Sequence, residues 1–256
     1  MSQTMTEPTD PGPCLRVHAV SVAFGNLKAL DKVDLVLHRG EILGLIGPNG
    51  SGKTTLINAI TGQIPLAAGR VTCDGEDISA LSPRQRALRG ILRSFQTVRL
   101  FRDLTVSENI EVAVVARGHS RREAQRLALP LIEEFGLGDK RDELAGALNY
   151  GDERRVEIAR ALAADPKYLL LDEPAAGMNE EESDTLMTIL KSLPSRRNLG
   201  IIIIDHDMPL IMRLCSRLQA IASGRTIAAG SVDEVRNAPA VIEAYLGTEA
   251  AEAHHA

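Results

Sequence analysis

The stretch GPNGSGKTT, from Gly47 to Thr55, constrains this protein more than any other. It follows the apolar run Ile42-Leu43-Gly44-Leu45-Ile46 and leads into Leu56-Ile57, so the sequence reads as strand, glycine loop and helix in succession. In Gly47, Pro48, Asn49, Gly50, Ser51 and Gly52 the glycines let successive backbone N–H groups turn inward on an anion. The helix starting near Lys53 points its positive end at the same place. Lys53 can reach the β- and γ-phosphates of a nucleotide; Thr54 and Thr55 follow, with the Thr54 hydroxyl suited to Mg²⁺.

The runs Tyr168 to Leu171 and Ile201 to Ile204 are continuously apolar, as in parallel-sheet strands buried on both faces. Each ends in acidic residues: Asp172-Glu173 after the first, Asp205-His206-Asp207 after the second. Ligands of open α/β sheets bind beyond the carboxyl ends of the strands, the edge where the glycine loop lies. Asp172 is placed to hold Mg²⁺ through water, and Glu173 to orient an attacking water or accept its proton. Taken alone, the pair also fits a solvated strand end. Upstream, Val33, Leu35 and Leu37 alternate with Asp34 and His38, and Leu15 to Phe24 is similar in composition; these predict an antiparallel layer.

Residues 97–163 are helical in character. Thr105 with Glu108 and Ser120 with Glu123 have capping-box spacing, as have Asn179 and Glu182 ahead of the apolar stripe Leu186, Ile189, Leu190, Leu193. Pro166 and Pro194 are expected to stop helices. Residues 1–13 are expected to form a disordered arm, and residues 248–256 a mobile tail in which His254 and His255 are solvated. The sequence shows no secretory signal and no run able to span a bilayer, so a membrane role has to come through a partner. A net charge of −5 and the absence of Trp argue against nucleic acid as a partner. Cys14, Cys73 and Cys215 fit neither a disulfide framework nor a zinc pattern; they read as packing residues or free thiols, which a reducing cytoplasm fits.

LNYGDERRVEIARAL, from Leu148 to Leu162, resembles the signature motif and following helix of the ATP-binding-cassette ATPases, and the resemblance runs from about Leu15 to Gly247. It implies an α/β fold: a RecA-like P-loop core with an antiparallel β subdomain and an inserted α-helical subdomain at about 97–163. It implies ATP and Mg²⁺ as ligands, and a head-to-tail dimer in which the signature of one subunit, Asn149, Tyr150, Gly151 and Asp152, covers the γ-phosphate held by the loop of the other. Phe24 matches the aromatic that stacks on adenine, and would equally suit core packing. Gln96, in SFQTVRLF, matches the glutamine that contacts Mg²⁺ or water and senses the membrane partner. Asn179 falls in the loop that communicates across the dimer and is also a plausible N-cap. His206 matches the switch histidine at the γ-phosphate. With Lys53 and Gln96, Glu173 and His206 make up the implied catalytic set; Thr54, Gln96 and Asp172 make up the metal set.

This signature departs from the usual LSGGQ. Asn149 replaces a serine hydroxyl, and Asp152 puts an acid where glutamine is usual, unfavourable near a triphosphate unless it faces away or pairs with Arg154 or Arg155. YGDERRVEIARAL, DEPAAGMN, DHDM and VIEAYLG look like the ATPases of branched-chain amino acid importers, the LivG type. That likeness implies a peripheral subunit on the inner face of the cell membrane, with permease subunits, a second ATPase subunit and, indirectly, a solute-binding protein. Importers of urea or other amides, a lipopolysaccharide-exporting branch, a soluble cassette ATPase and a weakly hydrolysing regulatory subunit remain as alternatives.

Overall fold

The computed structural model describes residues 12–94 and 99–252, with side chains to 245. Gln96 and most of the expected N-terminal arm lie outside the described residues.

The protein opens with β1 (Cys14–Phe24) and β2 (Leu27–His38), then β3 (Ile42–Ile46), the glycine loop and α1 (Lys53–Ile60). β4 (Ala68–Cys73), β5 (Glu76–Asp77), α2 (Pro83–Leu88) and β6 (Ile91–Arg93) follow. Next come α3 (Val106–Ala116), α4 (Arg121–Glu134) and α5 (Tyr150–Ala163), then β7 (Tyr168–Asp172), α6 (Glu180–Arg197) and β8 (Gly200–Ile204). α7 (Met208–Leu214), β9 (Arg217–Ala222), β10 (Arg225–Ser231), α8 (Val232–Arg236) and α9 (Pro239–Glu252) complete it.

Two sheets form. One is antiparallel in the order β2-β1-β4-β5; the other runs β10-β9-β3-β8-β7-β6, parallel throughout except for its β10 edge. The β-branched and leucine runs of the central strands make this possible because both faces are covered. Successive residues of β7 point to opposite sides: Tyr168 and Leu170 pack under the antiparallel layer and α1, Leu169 and Leu171 under the helices. Each fully buried Leu or Ile contributes about 2 kcal/mol through lost water contact. Gly44 leaves room for this packing, since a Cβ there would sit 2.5 Å from Leu218 Cδ2. The three cysteines are free and buried; burial pushes the Cys73 thiol up to about 11 and Cys215 up to about 12, so both are protonated near neutrality.

The helical segment between β6 and β7 is α3, α4 and α5, which pack on one another. Capping boxes at Thr105, Ser120 and Asn179 start α3, α4 and α6 where the spacing predicts. α5 stops at Ala163, ahead of Pro166. Pro194 does not stop α6, which runs on to Arg197 and closes on left-handed Asn198 (φ 49°), whose N–H reaches the Pro194 carbonyl. A proline in the last turn forfeits the bond to the carbonyl four residues back and crowds that carbonyl, a cost that the packing of buried Leu186, Leu190, Leu193 and Pro194 offsets. α9 likewise continues to Glu252, so the tail expected from 248 starts inside a helix. Among the described residues no helix is long and apolar enough to cross a membrane.

Candidate nucleotide site

β3 leads into the glycine loop at the carboxyl edge of the parallel sheet. Gly47 has φ 146°, and a Cβ there would meet the Ile221 carbonyl at 2.0 Å, so only glycine fits. Gly52 (φ 110°) is the N-cap of α1 and offers no capping hydrogen bond, which leaves the first helical N–H groups facing outward. Ser51 N–H bonds to Pro48 O at 3.2 Å, and Gly224 N–H to Ser51 O at 2.9 Å, tying the loop to the β9–β10 turn. The Ser51 hydroxyl is buried with no partner, although it lines the cleft.

That cleft, about 460 Å³, brings together Asn49 to Thr55, Asp172, Glu173 and His206, with Leu27 to Ala29 and Ser223-Gly224 among its other walls. Lys53 is buried and donates to Gly47 O at 2.6 Å and Pro48 O at 3.0 Å. Burial lowers its pKa, and the Asp172 and Glu173 carboxylates oppose that. Asp172, at the end of β7, is 2% exposed and pairs with Arg93 at 3.3 Å. Burial raises its pKa, with Arg93 pulling the other way. The Thr54 hydroxyl and the Asp172 carboxylate are hard oxygen donors in one cleft, a set that suits Mg²⁺.

Glu173 has left-handed backbone (φ 48°), which costs a non-glycine residue about 1–2 kcal/mol. The strain is held from three sides. Its N–H bonds to Ile204 O at 2.7 Å on β8, and its carboxylate lies 2.9 Å from His206 Nε2. The third is Arg154 of α5, 1% exposed, which donates to the carbonyls of Asp172 (2.8 Å), Glu173 (3.0 Å) and Pro174 (3.1 Å) and pairs with Glu157 at 2.6 Å. The sequence offers Arg154 only as a partner for Asp152. Its place on the buried stripe with Gly151, Ile158 and Leu162 is the one signal of this role. Arg154→Met is expected to cost about 3–5 kcal/mol in denaturant titration, because the buried Glu157 carboxylate then loses the cation packed against it. Adding Glu157→Gln should recover much of the loss; an unchanged midpoint for the single variant would rule out the clamp.

The remaining sequence candidates lie outside the cleft. Asn149 caps α5, its side-chain oxygen accepting from Asp152 N–H at 2.8 Å. Asp152 is fully buried and pairs with Arg155 and Lys140, so its charge is answered within the helical segment. Beside Gly151 lies the Glu182 carboxylate, where a Cβ would stand 2.6 Å from Oε1. Asn179 caps α6 reciprocally with Glu182. The Tyr150 ring lies over Gly177, 3.0 Å from where a Cβ would be. Phe24 is 54% exposed at the end of β1, which removes the core-packing alternative; its hairpin partner Leu27 lines the cleft and Phe24 does not. Arg93, Leu27 to Ala29 and Ser223-Gly224 also border this site, and no motif in the sequence marks them as its neighbours.

Known proteins resemble this one over most of its length. The ABC transporter family matches residues 30–176, and the branched-chain amino acid ATP-binding cassette transporter family matches residues 225–251. The high-affinity branched-chain amino acid transport ATP-binding protein LivG of Escherichia coli (strain K12) is 39% identical over 250 residues, covering 92% of the present protein and 98% of LivG. The lipopolysaccharide export system ATP-binding protein LptB of Haemophilus influenzae is 39% identical over 236 residues, covering 92% and 98%. The crystal structure of the ADP conformation of an ATP-binding cassette of an ABC transporter superposes with a TM-score of 0.82 at 31% identity, covering 92% of the present protein and 99% of that one.

Proposed function

The protein belongs to the ABC transporter family and is an ATPase of that family, and from this premise we propose that it drives an importer of branched-chain amino acids. The observation that carries the cargo class is the match of residues 225–251 to the family of branched-chain amino acid cassettes, since overall identity to LivG and to LptB is the same. Lipopolysaccharide export, favoured by that equal identity, is the second reading.

In the proposed reaction the loop N–H groups and Lys53 take the phosphates of ATP. Thr54, Asp172 and, from the β6–α3 connection, Gln96 would hold Mg²⁺, which neutralises phosphate charge when bound. Glu173 takes the proton of the attacking water. His206, whose Nε2 lies 2.9 Å from the Glu173 carboxylate in the same cleft, would align that carboxylate and contact the γ-phosphate. Phe24 would stack on adenine from the hairpin whose Leu27 lines the cleft.

Asn149, Tyr150, Gly151, Asp152 and Asn179 lie apart from the cleft of their own subunit, which supports their use against the nucleotide of a second cassette. With Asn149 engaged as cap and Asp152 neutralised by Lys140 and Arg155, the departures from the common signature put no bare charge at the helix start. Transport requires permease subunits, which would place the protein on the inner face of the membrane. Gating would pass to the permease through a groove near Gln96 and the segment that follows it, of which residues 99–105 are non-helical and α3 begins at Val106.

The test is a pull-down with the Glu173→Gln protein and ATP from gently solubilised membranes of the native host. Two polytopic permeases, a second cassette ATPase and a solute-binding protein for leucine, isoleucine or valine are expected. Recovery of lipopolysaccharide-export components would establish the second reading, and soluble ribosomal or DNA-bound partners would sink both.

A further inference from the structure

The string VIEAYLG near the C-terminus carries a subfamily likeness, and its physical role lies in one contact. Its tyrosine, Tyr245, is in α9, at the far end of the sequence from the glycine loop. The structure nevertheless joins them: Gly47 N–H donates to Tyr245 Oη at 2.9 Å. The phenol is half-buried, packed with Val241 of the same helix against the helical side of the sheet. Burial holds it above its ordinary pKa, so it stays a neutral hydroxyl near pH 7.

The partner it grips is the hinge of the loop. Gly47 sits at φ 146° where strand turns into loop, and no side chain fits there. Its N–H is fixed by Tyr245, and its carbonyl is fixed by Lys53 Nζ at 2.6 Å. The two peptide units that meet at Gly47 are therefore pinned separately: one by the last helix, the other by the lysine expected to move onto phosphate. Glycine's conformational freedom makes such pinning consequential, because an unpinned Gly47 can rotate either peptide at little cost.

We propose that Tyr245 is a positioning residue for the phosphate loop, through which α9 holds the Gly47 peptide in the orientation that accepts nucleotide. The proposal rests on the ATPase reading above, and extends it by giving the C-terminal helix a role in nucleotide affinity. Without the hydroxyl, the buried Gly47 N–H loses its acceptor and the loop spends part of its time in other orientations. Apparent affinity then falls by the fraction of molecules still competent. Chemistry in the bound state is untouched, because Tyr245 is not among the residues that line the cleft.

The test is Tyr245→Phe, which removes one oxygen and keeps the packing. Binding of a fluorescent ATP analogue is measured together with steady-state ATP hydrolysis, beside wild type and Ile242→Ala on the exposed side of α9. Tyr245→Phe is expected to raise both Kd and KM for ATP about three- to tenfold with kcat within twofold of wild type. Ile242→Ala is expected to change none of the three. Unchanged Kd and KM in Tyr245→Phe would overturn the proposal, as would a fall in kcat alone, or a lower melting temperature with affinity intact. Failure of the wild-type protein itself to bind the analogue would instead overturn the ATPase reading, so the two failures are separable.

Discussion

Glu173→Gln is expected to cut ATP hydrolysis by about 10²–10⁴-fold, the usual worth of a positioned general base. The amide has the shape of the carboxylate but takes up no proton at working pH. The backbone grip on the residue does not depend on its side chain: the Ile204 carbonyl still accepts from its N–H, and Arg154 still donates to its carbonyl. The amide oxygen can still accept from His206 Nε2, which lies 2.9 Å from the carboxylate. ATP binding and ATP-dependent pairing with a second cassette are therefore expected to persist while turnover stops. Phosphate release in single and multiple turnovers, with size-exclusion chromatography in ATP, reads both halves. A variant that hydrolyses ATP at the wild-type rate would remove Glu173 as the base.

Lys53→Ala is expected to weaken ATP binding by at least about 10²-fold, since charge-assisted contacts in a desolvated site are worth about twice neutral ones and more than one is lost. Within the fold the lysine already has partners of its own. It is 7% exposed and donates to the Gly47 and Pro48 carbonyls, with Asp172 and Glu173 supplying opposite charge nearby. In the proposed complex the ammonium would exchange these neutral acceptors for charged phosphate oxygens. Alanine leaves both the anion and the loop carbonyls without that cation. The folded state itself should be little disturbed, because burying an ammonium carries its own desolvation cost. Equilibrium titration with a fluorescent ATP analogue checks the first point and thermal unfolding the second. Unchanged affinity would refute the assignment of the phosphate loop.

Much of this architecture is local, and local features are legible in the sequence. The period-two pattern of β2, the unbroken apolar runs of β7 and β8, and the capping boxes at Thr105, Ser120 and Asn179 depend on neighbours a few residues away. The misreadings also follow from this. Pro194 reads as a stop, yet it sits in the last turn of α6, where its missing N–H costs one bond and tertiary packing of Leu186, Leu190 and Leu193 outweighs it. Asp152 pairs with Arg155, one of the two partners the sequence offers, and what a scan along α5 misses is its second partner, Lys140 from the preceding loop.

The chemistry open to this protein is legible in local segments: a strand–glycine loop–helix suited to an anion, a lysine and a hydroxyl after it, and carboxylates and a histidine at strand ends. These follow from backbone freedom and side-chain type, which no distant residue alters. How that chemistry is held depends on contacts made across the fold. Arg154 clamps three carbonyls around Glu173, Arg93 answers Asp172, and Tyr245 reaches Gly47. Each of these is a buried or half-buried hydrogen-bonding group whose partner lies in another element of the fold. Beyond the place of Arg154 on a buried stripe, such groups leave no period or spacing in the sequence, because what selects them is the need to satisfy a polar group that folding has removed from water.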